Sequence, residues 1–176
     1  AYAWAQKALG TNNLGNALEL IRGGFVGEFT KPTEMILTGA DCEATLGTRP
    51  CPPWVSRSVK PGDVLRLGNP QNGQVCYLAV AGGFLVSPQY SSVATSRRDR
   101  IGGPHGDGSA VRPGDELIFQ STAQKKAYVP QRYIPDYSKP LGLRFVPGYQ
   151  FEAFDPDAIK VLLGASYEVS TEISRM

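Results

Sequence analysis

Val75-Cys76-Tyr77-Leu78-Ala79-Val80-Ala81-Gly82-Gly83-Phe84 decides how this chain folds. From Val75 to Ala81 there is no charge, and β-branched, aromatic and small apolar residues dominate. That predicts a strand covered on both faces, placed centrally in a sheet. Gly82 and Gly83 then remove two side chains where the strand ends, so the backbone can turn sharply or admit another segment or a ligand at close range. A long polar run follows, up to a second pair, Gly102-Gly103. An irregular loop hung from a buried strand is the first place to look for function.

Composition narrows the classes. At 176 residues the chain can bury a core, and 18 basic against 16 acidic residues leave a formal charge of only +2, which points to no special partner. The densest basic cluster, Arg97-Arg98-Asp99-Arg100, is one short segment without interleaved aromatics, so no nucleic-acid partner is expected. No apolar run has the length of a membrane span, and no basic segment precedes an apolar core at the N-terminus; a soluble cytoplasmic protein with no membrane association is expected. Cys42, Cys51 and Cys76 lack metal-ligand spacing and His105 is the sole histidine, so no metal is expected and the cysteines read as buried thiols in a reducing compartment.

Outward from the central strand, glycine and proline recur between short apolar segments, the pattern of many short strands joined by tight turns. Strands are predicted over 17–22, 25–29, 34–38, 42–46, 54–59 and 64–67. A helix over Ala1 to Leu9 ends at Gly10. Val59-Lys60-Pro61-Gly62-Asp63-Val64-Leu65 is echoed by Val111-Arg112-Pro113-Gly114-Asp115-Glu116-Leu117. Proline at the second turn position and glycine at the third form a type II turn, each leading into an apolar strand, with Asp63 and Asp115 bonding their own turns. Residues 1–121 read as a first β-barrel lobe and the proline-punctuated polar segment 122–140 as a linker. Residues 141–176 read as the beginning of a second lobe. There, a strand over 141–146 precedes a helix with Asp155 as N-cap, Pro156 at its first position and Gly164 as terminator, and a further strand starts at Tyr167.

Leu37-Thr38-Gly39-Ala40-Asp41, Tyr77-Leu78-Ala79-Val80-Ala81-Gly82-Gly83-Phe84, Ile101-Gly102-Gly103 and Pro113-Gly114-Asp115 together resemble the allophanate hydrolase subunit 2 family. This family includes the C component of 5-oxoprolinase, the carboxyltransferase region of urea amidolyase and the antagonist of the sporulation kinase inhibitor. Ala17-Leu18-Glu19 with Gly23-Gly24, Val146-Pro147-Gly148 and Tyr167-Glu168-Val169-Ser170 extend the resemblance nearly end to end. Family members are longer on both sides, so an internal fragment, inactive alone, is expected. The resemblance implies a mainly β fold of two cyclophilin-like β-barrel lobes with few short helices.

It also implies a subunit of an ATP-dependent amide or lactam hydrolase of the 5-oxoprolinase type. Such a subunit shares its active site with a subunit-1-like partner and a third lactam-hydrolase subunit. The alternatives are the carboxyltransferase region of a biotin-dependent urea carboxylase or amidolyase, and a non-catalytic regulatory binding module. ATP would be used by the assembled complex. This chain has no P-loop, no nucleophile elbow and no methionine-flanked lysine of a biotin carrier.

In the loop, the family's Gly-Ser-Arg-Ser-Thr run is matched by Ser91-Ser92-Val93-Ala94-Thr95, with Val93 replacing the arginine. Ser92 and Thr95 are the candidate catalytic residues, as hydroxyl donors to charge developing on an amide oxygen. Gly82, Gly83, Arg97, Arg98 and Glu19 are the candidate substrate-binding residues. Arg97, Arg98 or Arg100 would supply the missing charge from a shifted position, the alternative being a solvated basic loop, and Glu19 is set among apolar strand neighbours with Arg22 nearby. Asp41, Asp99, Asp107 and Glu152 are dispersed and read as surface or turn carboxylates, and His105 as an exposed loop histidine.

Overall fold

The computed structural model describes residues 1–11, 15–120, 127–139, 142 and 144–167. The chain divides into two compact units, Ala1–Lys139 and Pro140–Met176. Among the described residues no helix is long and apolar enough to cross a membrane.

Among the described residues the first unit contains two four-stranded antiparallel sheets. One has the order β1 (Leu18–Ile21), β8 (Val75–Val80), β3 (Thr33–Gly39), β6 (Ser56–Val59). The other has the order β2 (Val26–Glu28), β7 (Val64–Arg66), β4 (Thr45–Leu46), β5 (Arg49–Pro50). Residues 75–80 of the uncharged run form a central strand: Leu78 pairs with Leu18 on one side and Leu37 on the other. Side chains alternate across the pleat, so one face of this sheet sends Met35, Leu37, Cys76, Leu78 and Val80 into a core shared with Leu46 and Leu65 of the other sheet. The opposite face sends Ile36 and Ala79 into a second core with Ala5 and Leu9 of helix α1 (Tyr2–Ala8) and its end, Trp54 and Val129. Two covered faces explain why β3 is buried at every position.

The expected cyclophilin-like barrel is not formed. The strands sort into two separate sheets whose outer strands are β1 and β6, and β2 and β5, and no pairing of the described strands joins them into a closed ladder. Closure requires continuous hydrogen bonding around the ring. β4 and β5 are only 2 residues long, Pro50 in β5 has no N–H to donate, and β6 bonds instead to the 127–129 segment through Ser56 N to Ala127 O at 2.8 Å. The strand expected after the second Pro-Gly-Asp turn is reduced to a single Phe84–Phe119 bridge, with Leu85 N donating to Ile118 O at 2.6 Å.

Caps and turns follow their local signals. Helix α1 ends through Gly10 at φ 65°, with Gly10 N bonding Lys7 O and Thr11 N bonding Gln6 O, each at 3.1 Å, a double closure that only a left-handed residue permits cheaply. Both Pro-Gly-Asp turns place glycine at positive φ, and Asp63 and Asp115 each accept from the backbone N–H three residues earlier, at 2.9 and 2.6 Å.

The described part of the expected 122–140 linker, residues 127–139, belongs to the first unit. Val129 is buried, its N–H donates to Trp54 O at 2.9 Å, and Tyr133 stacks on Trp4 at 4.5 Å. In the second unit, helix α2 (Pro156–Gly164) begins at the expected cap, with Asp155 Oδ1 accepting from Asp157 N at 2.8 Å. Residues 144–146 form no strand; Leu141, Leu143 and 168–170, where the other expected strand residues fall, lie outside the described residues.

Candidate functional site

Gly82 and Gly83 end β8 at φ 80° and 73°, a conformation that costs an L-residue about 1–2 kcal/mol. At Gly83 space is also limiting, since a Cβ there would stand 2.9 Å from Asn16 Oδ1. Asn16 is in turn fixed by Gln6, itself 1% exposed, whose Nε2 donates to Asn16 O at 3.4 Å. Gly83 therefore admits the Asn16 side chain at close range.

Beyond the turn, the loop is built around Gln89. Its Oε1 accepts from Gly102 N at 2.7 Å and its Nε2 donates to Gly106 O at 2.9 Å. One side chain thus clamps the start of the loop to the second glycine pair. Gly102 needs its φ of 72°, for a Cβ there would meet Ala94 O at 2.0 Å. Further along, His105 is the exposed loop histidine expected, and its Nε2 lies 2.9 Å from Asp115 Oδ2. The Arg112 N–H bond, followed by that histidine, holds the Asp115 carboxyl below its ordinary range against the opposing effect of desolvation.

Ser92, Thr95, Arg97 and Arg98 all lie exposed on this loop. Ser92 Oγ accepts from Ala94 N at 3.1 Å, and Thr95 Oγ1 packs against Gly103, 2.8 Å from where a Cβ would stand. Ser96 Oγ donates to Asp99 Oδ2 at 2.6 Å, whereas among the described residues Arg97 and Arg98 enter no ion pair. Glu19 lies elsewhere, exposed on edge strand β1. Its partner is Tyr77 across the ladder, not Arg22: Tyr77 Oη donates to Glu19 Oε2 at 2.9 Å. Burial and then this bond to a carboxylate push the Tyr77 hydroxyl up to about 12, so it remains a donor at neutral pH.

Two features carry no recognisable sequence signal. Glu34 is a carboxylate 2% exposed, accepting from Ser56 Oγ at 2.8 Å and Ser58 Oγ at 2.7 Å; an i, i+2 serine pair on the neighbouring strand is its only linear trace. At the end of β8 opposite the glycine pair, residues 39, 41, 53–54, 71–72, 131 and 134–138 surround two adjoining hollows of 610 and 250 Å³ that share Asn72, Gln131 and Tyr137 among others. The six residues of β8 at ~3.3 Å each put these hollows roughly 20 Å along the strand from Gly82. Among the described residues no group of three or more His, Cys, Asp or Glu is placed to hold a metal ion.

The carboxyltransferase domain family, subdomain A and B, matches residues 1–176. The C component of 5-oxoprolinase from Escherichia coli (strain K12) is 30% identical over 160 residues, 91% of this chain and 50% of that protein; the chain thus spans half the length of this relative. Among solved structures, TTHA0988 has a TM-score of 0.73 at 26% identity, covering 94% of this chain and 59% of that one. Kluyveromyces lactis urea carboxylase has a TM-score of 0.66 at 25% identity, covering 78% of this chain and 13% of that one. Matched along its whole length, and sharing its fold with solved structures, the chain belongs to the carboxyltransferase domain, subdomain A and B, family.

Proposed function

We propose that this chain is the carboxyltransferase A/B portion of a multi-component enzyme that transfers a carboxyl group to a small amide, the reaction that the name urea carboxylase describes. The observation that carries this reading is the carboxyltransferase match over residues 1–176. The loop geometry supports it. Arg97 and Arg98, with no ion-pair partner among the described residues, stand beside Ser92 and Thr95 on a loop that Gln89 holds in shape. An arginine fork suits the carboxyl group in transit, and hydroxyls suit the amide oxygen on which charge develops. In this reading Gly82 and Gly83 give the loop its close approach to the core, and Glu19 orients Tyr77.

A second reading is an ATP-dependent lactam hydrolase of the 5-oxoprolinase type, working with a subunit-1-like partner and a third subunit. It is favoured by the 30% identity to the C component of 5-oxoprolinase over 91% of the chain. Both readings place ATP use and the remaining catalytic groups on partner domains or chains.

Purification of the native-length protein with its companions, followed by mass spectrometry and turnover assays, separates them. A biotinylated companion region and urea-dependent carboxyl transfer support the first. A subunit-1-like companion with ATP turnover dependent on 5-oxoproline supports the second. A regulatory kinase or its inhibitor as sole companion, with neither activity, overturns both.

A further inference from the structure

Asn72-Gly73 is the one place in the sequence where an asparagine precedes a glycine; the other four asparagines are followed by Asn13, Leu14, Ala17 and Pro70. A side chain on the following residue crowds the approach of that residue's own nitrogen to the carboxamide carbon, and proline has no N–H to lose. Glycine imposes neither obstacle.

The structure adds two conditions that the dipeptide alone does not supply. Gln71 N donates to Asp41 O at 2.7 Å and Asp41 N donates to Asn72 Oδ1 at 2.9 Å. The second bond polarises the Asn72 carboxamide and stands where negative charge collects if a nucleophile adds to Cγ, within the reach of an oxyanion-hole donor. Asn72 is also exposed to water, and the Gly73 N–H enters no hydrogen bond among the described residues. The nucleophile is thus unengaged while the electrophile is activated.

Other comparable sites are blocked. Asp107-Gly108, the sole aspartate-glycine pair, is tied at the atoms that would react: Gly108 N donates to Gly102 O at 3.0 Å, and Asp107 Oδ1 accepts from Ser109 N at 2.8 Å. The Asn16 carboxamide is held at both its atoms by Phe84.

We propose that Asn72 is a self-modification site, deamidated through the nitrogen of Gly73. As its proton leaves to water, Gly73 N bonds to Asn72 Cγ, and charge collects on Oδ1 against the Asp41 N–H. The Cγ–Nδ2 bond then breaks, and Nδ2 takes up one proton and departs as ammonia. One water opens the resulting cyclic imide: attack at Cγ gives aspartate, and attack at the Asn72 backbone carbonyl gives isoaspartate. Asn72 lies in the wall shared by the two hollows, one of which Asp41 also lines. Conversion sets a second carboxylate beside Asp41 and removes the two N–H donors of the carboxamide. This change is independent of the reaction proposed for the Gly82–Gly103 loop.

The test is a timed incubation, in mildly alkaline buffer, of the native-length protein with its companions beside a synthetic peptide of residues 68–76. Both are followed by mass spectrometry, with isoaspartate identified by fragmentation. Asn72 is expected to convert at least as fast in the protein as in the peptide, which lacks the Asp41 N–H, and to yield isoaspartate as well as aspartate. Asn16 and Asn69 are expected to stay intact. Asn72→Gln, which sets the carboxamide carbon one methylene farther from Gly73 N, is expected to slow conversion about tenfold or more. Slower conversion in the protein than in the peptide, aspartate without isoaspartate, or undiminished conversion in Asn72→Gln overturns the proposal. The comparison of protein with peptide stands even if that variant does not fold.

Discussion

The carboxamide of Asn16 both accepts from Phe84 N and donates to Phe84 O, each at 2.6 Å. A side chain here imitates a strand neighbour, tying the segment before β1 to the turn after β8. Asn16→Ala orphans both Phe84 groups and is expected to destabilise the protein by about 1–3 kcal/mol. Gly83→Ala, strained by φ and crowded by the same carboxamide, is expected to cost at least about 1–2 kcal/mol. Urea unfolding monitored by tryptophan fluorescence measures both, and wild-type midpoints would show that the tie contributes nothing.

Ser56 connects three segments: its Oγ donates to Glu34 Oε1 and accepts from Ala127 N, both at 2.8 Å. Ser56→Ala leaves a buried carboxylate oxygen and a backbone N–H unmatched. A loss of about 1–3 kcal/mol is expected, with faster amide exchange at Ala127 and Val129 than elsewhere in the unit. Uniform acceleration instead would mean that Ser56 supports the core rather than the attachment of 127–129.

Gln89→Ala removes the clamp between the two ends of the candidate loop. Since the residues it joins are largely outside the core, global stability is expected to change by less than about 1.5 kcal/mol, while exchange at Gly102 accelerates. Activity of the assembled enzyme is expected to fall about 10-fold or more through misplacement of Ser92 and Thr95. Unaltered turnover with accelerated exchange would remove those hydroxyls from the reaction.

Alkaline stability follows from two acids whose ionisation burial opposes. Burial above all, with Cys42 and Asp41 nearby, pushes Cys76 from 9.0 up to about 12, and burial with Glu19 pushes Tyr77 from 10.0 up to about 12. Each folded value lies above its unfolded one, so the contribution is complete below the unfolded value. It is lost as pH rises through the folded value. Melting temperature is expected to fall progressively above pH 9.0. In Cys76→Ala the slope should be shallower, even though truncation lowers stability at neutral pH. Identical slopes would assign the alkaline loss to other groups.

Acid has the opposite sign in the second Pro-Gly-Asp turn. Asp115 sits below its ordinary 3.8, so its contribution is present above that value and lost as pH falls through the lower folded one. Asp115→Asn keeps an acceptor for Arg112 N but removes the charge facing His105. It is expected to flatten the acid limb of a melting profile below about pH 4, and an unchanged limb would place the acid sensitivity elsewhere.

What could be read from the chain was what neighbours within a few residues enforce. Residues 75–80 of the uncharged run became a central strand, the Pro-Gly-Asp turns closed on their own aspartates, and Asp155-Pro156 opened α2, because turn chemistry, caps and side-chain alternation act over one or two turns of backbone. Glu19 shows the limit: apolar neighbours suggested burial and Arg22 a partner, but alternation along an edge strand turned the carboxylate outward to Tyr77.

The sequence by itself determined the central strand, most strands of the first unit, the turns, the caps and, through its motifs, the family. Only the tertiary structure decided that two sheets stack without closing, that Glu34 is buried between serines, and that Asp41, Asn72 and Tyr137 line one cleft. Those outcomes join segments up to 96 positions apart in the numbering. Many alternative pairings satisfy the same local rules, and the choice among them is made by which arrangement buries most apolar surface while leaving fewest polar groups unmatched.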